Sequence, residues 1–123
     1  DAEKGDAESM FIIGNFLAQP GKQQDLEKAF QFLEGAALQE HRHAQYMCGG
    51  ARAEGLGCDQ DYQKAREWWE KAAEKGDADA MFNLGSMHVK GELGLPDVGA
   101  ATKWWTDSFL AGRDEAGFAV AHL

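Results

Sequence analysis

Long apolar runs are missing from this sequence: none approaches the ~18 residues that a bilayer-spanning helix needs. β-branched residues are scarce too, limited to Ile12, Ile13, Val89, Val98, Thr102, Thr106 and Val120 among 123 positions. With so little sheet-forming material and abundant alanine, glutamate, leucine and lysine, the composition predicts an all-α chain. Basic charge is also short, with 12 Lys and Arg against 21 Asp and Glu, for a net charge of −9. That field repels phosphate backbones and anionic headgroups, which argues against nucleic acid as a partner. The three serines, Ser9, Ser86 and Ser108, have no lysine three residues on and no glycine-flanked elbow, so the serine-acylation motifs are absent. The two cysteines are too few for a disulfide framework, and a chain of this length buries a useful core without one. Nothing in the composition assigns a compartment.

What the sequence has is repetition. Ala2-Glu3-Lys4-Gly5-Asp6-Ala7 recurs as Ala73-Glu74-Lys75-Gly76-Asp77-Ala78, and two periods of about 36 residues span the gap. Asp61, Ala65, Trp68, Trp69 and Ala72 fall on Asp97, Ala101, Trp104, Trp105 and Ser108, with Asp25, Ala29, Phe32, Leu33 and Ala36 one period earlier. A preceding segment repeats as well: Phe11 and Gly14, Tyr46 and Gly49, Phe82 and Gly85. Each unit therefore carries two segments with apolar residues at helical intervals. Helix A is expected to end at a left-handed glycine, and helix B to open at Asp25, Asp61 or Asp97, whose carboxylates suit an N-cap. The boundaries read as repeats at about 5–39, 40–75 and 76–111 in one domain, with partial helices at 1–4 and 112–123.

The recurrent small residues have a steric reason. A side chain at Gly14, Gly49 or Gly85 would hold helix A away from helix B, and Ala36, Ala72 and Ala73 allow the same close approach. Trp69 and Trp105 read as core between units.

The run Ala80-Met81-Phe82-Asn83-Leu84-Gly85, followed by Gly91, Asp97, Ala101, Trp104-Trp105 and Gly112, resembles the Sel1-like repeat. Ala44, Gly49, Gly55, Gly57, Asp61, Ala65, Trp68-Trp69, Ala72-Ala73 and Gly76 resemble it equally, so the likeness covers almost the whole chain. It implies a right-handed α-α superhelix of the tetratricopeptide class, with helices A lining a concave face and with scaffold or adaptor function. Three places depart from the pattern: Pro20 stands at a turn glycine, Arg52 stands where Leu17 and His88 suggest a bulky core residue, and unit three shifts its loop glycine to Gly94. The ends suggest a fragment of a longer array or a short array with unusual caps, and incomplete ends of this kind can pair between chains.

The tetratricopeptide pattern puts Phe11, Ile12 and Asn15, Gln45, Tyr46 and Met47, Phe82, Asn83 and Ser86, and Phe118 on the groove wall. These are the expected partner-binding residues, and packing against helix B is the competing role for the aromatic ones. The expected partner is another protein or peptide, with a basic one suiting the −9 charge. An adaptor fits, and so does an inhibitor or immunity-type binder, and no cofactor is implied. The reading from a different class is an enzyme or metal protein. His41, His43, Cys48 and Cys58 supply four donors within 18 residues, enough in number for zinc. Cysteine-rich relatives in the resembled family have been associated with β-lactams, but those carry a cysteine pair in nearly every repeat. Burial as small hydrophobes is the favoured role for Cys48 and Cys58, and spacing alone does not decide whether they are bonded.

Overall fold

The computed structural model describes residues 6–19 and 23–123, and in the second stretch the side chains from residue 25 onward. Seven helices, and no strand, occur among these residues: α1 Ala7–Leu17, α2 Gln23–Leu38, α3 Arg42–Glu54, α4 Tyr62–Glu74, α5 Ala78–Lys90, α6 Val98–Leu110 and α7 Asp114–Ala121. The all-α expectation holds. The chain divides into two compact units, Asp1–Trp68 and Trp69–Leu123.

Helices begin and end where the sequence chemistry places the signals. Asp77 and Asp97 cap α5 and α6 by accepting from the Ala80 and Ala100 amides at 3.0 and 2.9 Å, and Asp61 accepts from Lys64 N at 3.1 Å. Each carboxylate satisfies a first-turn N–H that the helix leaves without a partner. α3 and α5 end at Gly55 and Gly91, both left-handed with φ of 72° and 73°, a conformation that any Cβ would strain. Asp25 differs from the expectation. α2 begins at Gln23, so Asp25 lies inside the first turn and is no N-cap; there its charge still favours the positive end of the helix dipole. The expected helix tail at 1–4 and the Pro20 turn lie outside the described residues.

In unit 1, α1 packs on α2 and α2 on α3. Phe30, Leu33, Ala36, Ala37, Ala44, Cys48 and Ala51 form its core, with Met10, Phe11, Met47, Cys58 and Trp68 partly buried against it. Gly14 acts as expected. A Cβ on Gly14 would come within 2.8 Å of the Leu33 side chain, so the α1 to α2 approach requires glycine there.

In unit 2, α5 packs on α6 and α6 on α7. Leu84, Met87, Trp105 and Ser108 are buried between small residues such as Ala80, Ala101 and Ala116. A Cβ on Gly85 would overlap the Trp105 indole. The indole N–H donates to the Phe82 carbonyl at 2.9 Å, so this large ring enters the core with its polar atom satisfied. Ser108, at the register of Ala36 and Ala72, is buried and donates its hydroxyl to Ala78 O at 2.7 Å. α7 lies within the stretch 112–123.

Candidate protein-binding site

The expected row divides into exposed and packed members. On α1, Ile12 is 59% exposed and Asn15 is exposed, while Phe11 is half-buried. The Phe11 ring stacks on His41 at 4.5 Å between centroids. On α3, Tyr46 and Met47 are half-buried, and Gln45 is fully buried with its side-chain amide donating to Ala37 O at 3.1 Å. That bond explains its burial, since an amide taken out of water needs a partner. In unit 2, Phe118 is 71% exposed on α7. Phe82, Asn83 and Ser86 are half-buried on α5, and the Ser86 hydroxyl donates back to Phe82 O at 3.2 Å.

Phe82 is held between two neighbours. Its ring lies 5.9 Å from that of Trp105 on one side, and the Arg113 guanidinium lies 4.3 Å from its centroid on the other. Arg113 in turn pairs with Asp79, and with Glu115 at 3.5 Å. This ring therefore works as packing as much as display, and its clamp by Arg113 was not legible from spacing. A similar device occurs in unit 1. His41 Nδ1 accepts from Ala44 N at 3.2 Å, and Nε2 lies 2.9 Å from the Glu8 carboxylate.

The four candidate metal donors are not gathered. His41 and His43 have ring centroids 6.1 Å apart, and His41 spends both nitrogens on the contacts just given. Cys48 is buried in the apolar core. Cys58 is half-buried, with its thiol 3.6 Å from Ala51 O. Both thiols are free. Burial pushes Cys48 up to about 12, with Glu34 adding to the shift, and burial also raises Cys58. Thiols held protonated in this way are poor ligands and poor nucleophiles. Among the described residues, no three His, Cys, Asp or Glu side chains are placed to hold one ion. None of the described helices is long and apolar enough to cross a membrane.

Unit 1 also has concave features that the row did not include. An apolar cavity of about 260 Å³ opens between the end of α1, α2 and α3, lined by Leu26, Leu33, Met47, Gly50, Glu54 and Leu56 among others. A more polar cleft of about 540 Å³ is lined by Glu27, Phe30, Glu34, Arg52, Cys58 and Asp59. Arg52, at the departure noted in the sequence, lays its guanidinium over Phe30 at 4.9 Å and donates to Asp59 O at 3.1 Å. It thus covers core apolar surface with its stem and head, as long basic side chains can.

The profile described as Sel1 repeat matches residues 7–41, 42–77 and 78–106. The chain belongs to the Sel1-repeat family. Sel1 repeats generally serve as non-catalytic scaffolds that bind proteins. Among solved structures, a protective antigen of uropathogenic Escherichia coli strains with an SLR fold is similar over 99% of this chain and 26% of that one, at 25% identity and a TM-score of 0.91. A Sel1 repeat protein from Oxalobacter formigenes is similar over 94% of this chain and 48% of that one, at 26% identity and a TM-score of 0.84. The chain thus spans about a quarter and about half of these two. Helicobacter pylori cysteine rich protein B, at 17% identity, covers 92% of this chain and 96% of its own with a TM-score of 0.70, and shows the fold alone. No curated protein matches by sequence.

Proposed function

We propose that this Sel1 domain is a non-catalytic interaction module that holds a partner protein or peptide through exposed side chains on the A helices of each unit. The observation that carries this reading is the display of large apolar side chains there, Ile12 on α1 at 59% exposure and Phe118 on α7 at 71%. Apolar groups held in water on a rigid helical scaffold gain free energy when a partner covers them. The net charge of −9 favours a basic partner and speeds its approach. An inhibitor or immunity-type binder is a subtype that suits so acidic a module. Asn15 on α1 and Asn83 and Ser86 on α5 add hydrogen-bonding capacity on the A helices.

The test compares the wild-type domain with an Ile12→Ser, Phe118→Ser double variant as bait in extract of the source organism. A captured protein, purified, should bind the wild type in titration calorimetry and bind the variant at least ten-fold more weakly, with circular dichroism unchanged. Equal affinity for both would place binding on other surfaces and overturn the proposed site.

A further inference from the structure

Unit 1 lacks the bulk that the same register carries elsewhere in the chain. Leu33 occupies the position of Trp69 and Trp105, and Gly50 that of Asn15 and Ser86. In unit 2 the Trp105 ring fills its site, packed against Gly85 and Phe82. In unit 1 the two smaller residues face the apolar cavity, and a Cβ placed on Gly50 would meet nothing within 4 Å. The space measures about 260 Å³. An apolar cavity on the order of 150 Å³ already accepts a benzene-sized guest, whereas pockets enclosing whole small-molecule ligands start at about 300 Å³. A single large side chain matches the gap. Leu26, Leu33 and Met47 supply apolar walls, and Leu56, 45% exposed, stands at the opening. Among the described residues of the lining, Glu54 is the one that is charged, and it is exposed.

We propose that this cavity is an anchor pocket for one aromatic side chain of a partner segment, with a basic residue beside the anchor meeting Glu54. The guest ring occupies the apolar space walled by Leu26, Leu33 and Met47, and its flanking cation meets a carboxylate on an acidic chain. This deepens the interaction-module reading and rests on it. It shares no residue with the Ile12 and Phe118 test, so either can fail alone.

The experiment titrates the full chain with the pentapeptide acetyl-Gly-Arg-Trp-Arg-Gly-amide and follows backbone amides by NMR. Shifts should concentrate at Gly50, Ala51 and Leu56. Replacing the peptide tryptophan by alanine should abolish them, and replacing both arginines by glutamate should weaken binding at least five-fold at low salt, where screening is least. Gly50→Leu, which fills the cavity from a helical position open to a side chain, should reduce affinity more than ten-fold. Leu56→Ser, at the exposed rim, should weaken it about three-fold and serves should the first variant fail to fold. Shifts that persist unchanged in these variants, or no shift at millimolar peptide, would overturn the pocket. Equal binding of the glutamate peptide would overturn the basic class of partner. A wild-type dimer in sedimentation that becomes monomeric in Gly50→Leu would assign the cavity to a second copy and likewise overturn the proposal.

Discussion

Unit 1 and unit 2 are built from the same repeat and solve its packing differently. In unit 2 a glycine, a tryptophan and a hydrogen bond close the space between α5 and α6: Gly85 admits the Trp105 ring, whose N–H ends on Phe82 O. In unit 1 Leu33 meets Gly14 in the same way but leaves the apolar cavity on the side of α3. The difference teaches that the repeat fixes backbone approach through glycine, while filling on the α3 side of α2 depends on other positions, Gly50 among them. Stability and vacancy are set at separate positions.

Deleting the two large residues is the strongest way to sharpen this contrast. Trp105→Ala should cost about 3–5 kcal/mol in urea unfolding, because it removes a filled core site together with its hydrogen bond. Leu33→Ala should cost about 2 kcal/mol, the low end of the range for such a truncation, since the neighbouring space lets the site relax. Equal losses would break the distinction between a filled and an open register. Glycine substitution should next give opposite signs. Gly85→Ala should destabilise by roughly 1–3 kcal/mol through overlap with the indole, whereas Gly50→Ala should stabilise by about 0.5–1 kcal/mol, since it removes a helix-interior glycine at no steric cost. Chemical denaturation of both variants checks the pair.

Smaller effects test the helix starts and the thiols. Asp97→Ala should cost about 1 kcal/mol by removing a cap, and Asp25→Ala roughly 0.3–1 kcal/mol, since only the dipole interaction of the first turn is lost. For the thiols, burial holds Cys48 protonated up to about 12 from an ordinary value of 9.0. Above pH 9 the unfolded chain releases a proton that the fold retains, so this group's contribution to stability falls as pH rises from about 9 to about 12. A thiol reagent at pH 8 should label the half-buried Cys58 slowly and leave Cys48 unmodified until the protein unfolds, as mass spectrometry would read.

Much of the architecture was legible because a repeat states its own rules several times. Three copies of the glycine and alanine spacing gave the hairpins, and the aspartates at 61 and 97 marked helix starts that the fold uses. Asp25 misled because α2 gains two residues ahead of it, a boundary that no side chain in the sequence announces. The binding row was legible only in part. Helical period puts Gln45 beside Tyr46 and Met47, but its amide finds Ala37 O in the interior, a partner eight residues away that periodicity does not register. The cavity had a visible signal, leucine at 33 against tryptophan at 69 and 105, but its meaning depends on what stands opposite, and Gly50 supplies that only once α2 and α3 are packed.

The caps of the A helices carry one more consequence. Asp6, His41, Asp77 and Arg113 stand one period apart, and two of them reach back to the preceding A helix, His41 to Glu8 and Arg113 to Asp79. Acceptor-only and nitrogen-bearing caps thus alternate, and each of the two nitrogen-bearing caps is matched to a carboxylate one repeat earlier. Excising residues 41–76 would keep the period but bring Asp77 to the place of His41, setting two carboxylates against each other. The repeats are therefore not interchangeable modules; their order is written in the donor and acceptor pairing of these caps.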